Sequence, residues 1–345
     1  MKTSNSVWAL IGIAAALACG THAVAQEGEQ PAAAESAPGE SAPAAAQDIP
    51  PAPVKPVAAE VMPLASMGLL LDIVNTGDHL IAVGDHGDIL ASNDGEKWAQ
   101  ANVPVRAPLT AVSFVDSKTG WAVGHDAVIL HTTDGGQNWS LQNFQPELEK
   151  PFLDVLFVDA QHGFAIGAYG MFKETFDGGQ SWNDVKNNVS EGELHLNTIA
   201  RLNNGDLFIA GEQGTLVVSS DQGKTWTKLT SPYESSMFGA MPVGDKGAII
   251  YGLRGNIYVT QDVRSNKWTK VETGNVSSMF GGTKLPTGRL VMVGLNGVIW
   301  STDANGGDVH RVPGSVGTTQ SAVVPFKGGL LMVGESGVQV VSKLQ

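Results

Sequence analysis

The chain has 345 residues, with 21 Lys and Arg against 34 Asp and Glu, a formal net charge of −13 and 42% apolar residues. That is enough apolar chain for one large domain or two ordinary ones, and the acidic balance argues against nucleic-acid binding, which needs basic surfaces to neutralise phosphate. Glycine, at 42 residues, is nearly twice its usual share and follows no collagen-like period, so many tight turns are expected, while a single cysteine, Cys19, leaves no disulfide framework.

The first element in chain order is a targeting segment. Lys2 precedes an apolar run at residues 7–18, and Ala23, Val24 and Ala25 stand before Gln26, which is the pattern of a secretory signal peptide over residues 1–25. The run is too short to span a bilayer. Cleavage before Gln26 removes Cys19; lipidation at Cys19 is the less favoured reading, because residues 16–18 lack the aliphatic side chain usual three places before a lipidated cysteine. The mature chain is therefore expected in the periplasm, without a transmembrane segment. Residues 26–53 are rich in Ala, Pro and Glu and cannot fill a core, so they read as a disordered linker.

Beyond the linker one unit is written seven times. Each begins with an apolar strand ending in a glycine, at Gly84, Gly124, Gly167, Gly211, Gly252, Gly294 and Gly334, spaced by 40 to 44 residues. Three residues further on stands Gly87, Ala127, Gly170, Gly214, Gly255, Gly297 or Gly337. Small residues at both ends of a two-residue link allow positive φ and predict a hairpin. An apolar run such as residues 109–115, 153–158 or 321–326 precedes each hairpin strand, a short strand such as residues 88–92 follows it, and a fourth starts near Trp98, Trp139, Trp182, Trp226 and Trp268. Four short strands per unit without helical periodicity predict an all-β fold: a seven-bladed β-propeller of four-stranded antiparallel blades over residues 54–345. The position three before each landmark glycine (Ile81, Trp121, Phe164, Phe208, Ile249, Val291, Leu331) is always apolar and is assigned to the seams between blades. The last unit lacks a fourth strand, and residues 54–64 are expected to supply it, closing the ring.

The turn into the fourth strand repeats as Thr132, Asp134, Gly136, Trp139; Thr175, Asp177, Gly179, Trp182; and Ser219, Asp221, Gly223, Trp226. Looser copies hold Asp94 with Trp98 and Asp262 with Trp268, and Ser301 with Asp303 stand without a tryptophan. A short carboxylate accepts from the turn's own backbone and a tryptophan anchors the fold-back, so these aspartates read as turn residues and not catalysts. This is the BNR, or Asp-box, turn. Together with the Val-Gly-x-x-Gly-x-Ile and Asp-Gly-Gly-x-x-Trp runs, it makes residues 64–343 resemble the photosystem II stability/assembly-factor-like propellers. The resemblance implies a non-enzymatic accessory or assembly factor for a membrane complex, with an arginine-rich surface patch.

The links between second and third strands gather at one mouth of such a ring, where binding residues usually sit. They carry Asp85 and His86, His125 and Asp126, Tyr169, Glu212, Arg254, Asn296 and Glu335, a mixed and mildly acidic set with one arginine. These are the candidate partner-binding residues, with Arg254, Tyr169, His86 and His125 as anchors. Two neighbouring blades each bring a His and an Asp, a set able to ligate a divalent metal, but solvent-facing polar loops are the commoner explanation, and neither metal nor cofactor is assigned. The expected partner is a membrane or periplasmic protein complex, transporters included; a small-ligand-binding or transporter-associated scaffold is the alternative. A sialidase-like hydrolase would need an arginine triad with a tyrosine nucleophile, and the six arginines and four tyrosines show no such arrangement.

Overall fold

The computed structural model describes residues 54–313 and 317–342. The expected signal segment, Cys19 and the linker at 26–53 lie outside the described residues. Pro56–Gln345 forms one compact unit.

Its strands fall into seven antiparallel sheets, each a meander of consecutive strands, at residues 70–100, 109–143, 152–184, 196–228, 237–270, 279–311 and 320–341. These are the seven blades. Six have four strands and the seventh has three among the described residues. The second strand of every blade, Leu80–Gly84 in the first and Gly120–Gly124 in the second, is buried along its whole length. A strand covered on both faces has to be a continuous apolar run, which is why these segments stand out in the sequence. Outer strands are only two residues long in five blades, which leaves little open edge.

The seam assignments agree with the packing. All seven residues three before the landmark glycines are 0% exposed. Several abut the Asp-box turn of the following blade: a Cβ placed on Gly136 would lie 2.8 Å from Ile81 Cδ1, one on Gly223 would lie 2.5 Å from Phe164 Cζ, and Trp121 Nε1 donates to the Gly178 carbonyl at 3.3 Å. The turn glycine thus leaves room for the neighbour's side chain as well as permitting positive φ.

The landmark glycines themselves act differently from the expectation. Gly84, Gly167, Gly211, Gly252 and Gly294 are extended, with φ from −157° to −177°, and the left-handed residues are the second link residue and the small residue after it. Glycine is needed at the landmark because a Cβ there would collide with backbone at the start of the same blade's inner strand, the Leu69 carbonyl for Gly84 and the Pro108 carbonyl for Gly124.

Ring closure also departs from expectation. Residues 54–64 form no strand and do not join the seventh blade; Ala59 N–H donates to the Val103 carbonyl at 3.0 Å, and Met62 N–H to Gln100 Oε1 at 2.7 Å, so the segment lies along the first blade. The chain then passes under the last link, where a Cβ on Gly337 would meet the Ser66–Met67 backbone, before entering the inner strand Leu70–Asn75. Residues 66–67 occupy the place that a connector takes beneath the first five links, so this segment is committed before it can reach an outer edge. The ends are joined by packing: Leu70, Ile73, Leu80 and Leu90 share one core cluster with Ala322, Val324, Leu331 and Val333.

Candidate binding face at the hairpin links

Strand direction alternates in a meander, so the links between second and third strands and the connectors between blades emerge at the same end. The contacts confirm this: Gln145 N–H donates to the Asp126 carbonyl at 2.9 Å, Ala127 N–H to Lys150 at 3.1 Å, and Gly170 N–H to Leu194 at 2.9 Å, each joining a link to the following connector. In all seven blades the first link residue donates its N–H to the carbonyl just before its own inner strand, as His125 does to Pro108 at 2.9 Å. The second, third, fourth and fifth links are thus held from both sides.

The second link residue is left-handed in six blades: His86 (φ 58°), Asp126 (57°), Tyr169 (53°), Gln213 (50°), Arg254 (57°) and Asn296 (60°). L-residues avoid this region at a cost of roughly 1 kcal/mol each, and here the flanking hydrogen bonds enforce it. All but Asp126 are exposed, so the turn holds a ring of unlike side chains toward solvent on a common backbone.

The candidate residues are not equally free. Glu212 accepts from His195 N–H at 3.2 Å and Glu335 from Thr319 N–H at 3.4 Å, so both carboxylates support their own inner strands. Asp85 lies 3.4 Å from His86 Nδ1 and accepts from His86 N–H at 2.8 Å. Burial holds the His125 imidazole below its ordinary value, against the opposing pull of Asp126 and Asp85, which ties the first two links together. Tyr169 is 49% exposed, stands edge-on to His195 at 4.8 Å and lies 5.4 Å beneath the Lys150 ammonium. Arg254 is exposed and anchored only through its backbone, N–H to Ser278 Oγ at 3.1 Å. Asn296 contacts Ser277 Oγ at 3.4 Å. Among the described residues no group of three or more His, Cys, Asp or Glu side chains is placed to hold a metal ion.

The Asp-box residues sit at the opposite end and serve their own turns. Asp134 accepts from Asn138 N–H at 3.0 Å and from the Thr132 hydroxyl at 2.9 Å, and Trp139 Nε1 donates to the Gly136 carbonyl at 3.0 Å. Asp177 and Asp221 accept from the side chains and backbone N–H groups of Ser181 and Thr225, and these bonds lower both carboxyls to about 2. Asp94 accepts from Lys97 N–H at 2.8 Å, with Trp98 bonded back to Gly95, and Asp262 caps its turn by accepting from Arg264 N–H at 2.9 Å. Trp226 is buried against Phe164 and Phe172, Trp182 bonds Gln142 and Trp268 packs on Phe208. An open cavity of about 500 Å³ lies at this end too, between Asn75, residues 285–287 and residues 325–329, away from the links.

Two half-buried carboxylates escape sequence reasoning. Each inner strand starts with a register shift, and in the first and third blades this turns Asp72 and Asp154 into bridges. Asp72 accepts from Ile73 N–H at 2.8 Å and from Val112 N–H of the second blade at 2.9 Å; Asp154 accepts from Val155 and from Ile199 of the fourth blade, both at 2.8 Å. Burial raises Asp72 to about 7 and Asp154 to about 6. The available signal was an acidic residue inside an otherwise apolar run, at 72 and again at 154.

The family model for the photosynthesis system II assembly factor YCF48 matches residues 55–151 and 141–315, most of the chain. The chain belongs to this family. The photosystem II assembly protein Ycf48 of Thermosynechococcus vestitus (strain NIES-2133 / IAM M-273 / BP-1) is 39% identical over 46 residues, a stretch covering 13% of this chain and 13% of that protein. Many solved structures share the fold. YCF48 bound to a D1 peptide superposes with a TM-score of 0.65 at 18% identity, covering 85% of this chain and 100% of that one. YCF48 from Cyanidioschyzon merolae gives 0.66 at 18% identity, covering 80% and 96%. The WD40 propeller domain of Doa1 gives 0.62 at 14% identity, covering 79% and 91%, a reminder that the ring is shared well beyond the YCF48 family.

Proposed function

We propose that this chain is an exported, non-enzymatic binding propeller that serves as an assembly or stability factor for a membrane-embedded or periplasmic protein complex. The observation that carries the reading is the YCF48 family match over residues 55–315, and a member of that family has been solved with a D1 peptide bound. Carried to this chain, the mode is capture of a polypeptide segment of a partner subunit. The link face is the surface suited to it: a stiff backbone presents exposed side chains at fixed spacing, so binding costs little ordering entropy. Tyr169 and Arg254 are the expected anchors, being exposed residues of the types that dominate energetically important contacts. Export through residues 1–25 would put this face beside membrane proteins on the far side of the inner membrane. The test is chemical crosslinking in cells followed by membrane purification. A specific membrane or periplasmic protein is expected, and its recovery is expected to fall when Tyr169→Ala and Arg254→Gln are combined. Fractionation that leaves the protein in the cytoplasm, or crosslinks unchanged in the double variant, would refute the reading.

A further inference from the structure

The exposed apolar surface of this propeller is unevenly spread. Of the ten large apolar side chains exposed among the described residues from 56 onward, five (Val57, Val61, Met62, Leu64, Met67) stand in the segment that crosses the link face before the first blade. Three more are on the same face: Leu148 in the connector after the second blade, Tyr169 in the third link and Val276 in the connector after the fifth. Only Phe176 and Val340 lie elsewhere. Isolated exposed apolar residues are ordinary, but a concentration of them on one face marks an interaction surface.

The charges on that face decide what it would accept. Exposed glutamates stand in the connectors, Glu147 and Glu149 after the second blade, Glu191 and Glu193 after the third and Glu234 after the fourth, with Glu60 beside the apolar segment and Glu335 in the last link. None of the six in the segment and connectors makes an ion pair among the described residues, and from residue 56 onward the exposed basic groups there are Arg106, Lys186 and Arg254, with Lys150 half-buried over Tyr169. An apolar surface with an acidic surround repels an anionic lipid surface and favours a cationic polypeptide.

We infer that the link face receives a partner segment whose apolar side chains are flanked by lysine or arginine, the apolar groups resting on residues 57–67 and around Tyr169 and the cations meeting the connector glutamates. This rests on the proposed function and adds the chemistry of its partner. The test uses the full-length protein purified after export and fluorescence anisotropy with three short labelled peptides, alike in their leucine and valine positions but flanked by Lys, Ser or Glu. The Lys peptide is expected to bind about tenfold more tightly than the Glu peptide, with the advantage shrinking as salt rises. Glu191→Lys with Glu193→Lys is expected to narrow or invert that order, and Leu64→Ser with Met67→Ser to weaken all three peptides alike; all four positions are exposed, so the ring should stay intact. Equal or tighter binding of the Glu peptide, or an order unmoved by the charge reversal, would overturn the inference. So would sedimentation with phosphatidylglycerol vesicles in the absence of peptide binding, which would assign the face to a membrane. If crosslinking recovers a partner whose contacting segment is acidic, this inference fails while the proposed function stands; if no partner is recovered, the proposed function fails first.

Discussion

The two inner-strand carboxylates give a pH dependence opposite to that of an ordinary paired aspartate. Asp72 has an ordinary value of 3.8 and is raised to about 7 in the fold by burial, so the folded state binds its proton more tightly than the unfolded state does. Its contribution to stability is therefore greatest below pH 4, declines as pH rises from 4 toward 7 and is constant above. A rise of this size corresponds to about 4 kcal/mol across the window, and the smaller rise of Asp154, to about 6, to about 3 kcal/mol. Asp177 and Asp221, lowered to about 2, act in the opposite sense, but only below pH 4. The assay is urea denaturation followed by tryptophan fluorescence at several pH values between 5 and 8, comparing wild type with Asp72→Asn, Asp154→Asn and the double variant. Asparagine keeps one acceptor but turns a donor toward a second N–H, so the absolute stability of each variant reflects a lost bridge as well. The slope against pH isolates the titration: stability of the wild type should fall with rising pH by up to about 1.4 kcal/mol per unit more steeply than that of Asp72→Asn. Parallel pH profiles for wild type and double variant would refute the reasoning.

Gly124→Ala should destabilise by about 1–3 kcal/mol or more, since its Cβ would run into the Pro108 carbonyl and lie 2.8 Å from Leu109 Cα, whereas Gly77→Ala, with nothing within 4 Å, should cost only the strain of its φ of +95°, about 1 kcal/mol; chemical denaturation separates them. Leu331→Ala, at a fully buried position in the seam of last and first blades, should cost about 2–5 kcal/mol, and hydrogen exchange should quicken first in those two blades. Tyr169→Ala with Arg254→Gln should leave the unfolding midpoint nearly unchanged while reducing partner recovery, because both side chains are exposed and Tyr169 loses only its surface contacts with His195 and Lys150.

The repeat, the seven blades and the seams were legible because they follow from burial. A strand covered on both faces has to be apolar, so Ile81, Trp121, Phe164 and their counterparts announce themselves by type and spacing. The same logic failed where spatial approach decides. Gly84 and Gly124 recur for want of space beside a carbonyl three-dimensionally near them, and sequence offers no sign that separates this from a need for positive φ. Residues 54–64 were assigned to the seventh blade from a count of missing strands, but the path under Gly337 brings the chain onto the first blade instead. Asp72 and Asp154 looked like interruptions of an apolar run; only the bulge in register shows that each can reach an N–H of the next blade. At the link face the positions could be read and their pairings could not: that Glu212 is bound to His195 N–H and that Tyr169 rests against His195 depends on a connector folding back beneath its link.

The backbone of the links lets one ring present unlike side chains in one geometry. Six links hold their second residue in the same left-handed conformation, although the residues are His, Asp, Tyr, Gln, Arg and Asn. The conformation is supported by backbone hydrogen bonds from the first link residue to the carbonyl just before its own inner strand, and these do not involve the side chain of the second link residue. Substitution at these positions therefore changes the chemistry of the face at little cost to the ring, while the landmark glycines have no room for a Cβ and the seam positions, whatever their residue, are fully buried and apolar. Similarity to YCF48 structures at 18% identity is similarity of the ring itself. Under the proposed function, a link ring with Arg254 as its one arginine among acidic and apolar neighbours should select a partner different in charge from one chosen by a strongly basic face.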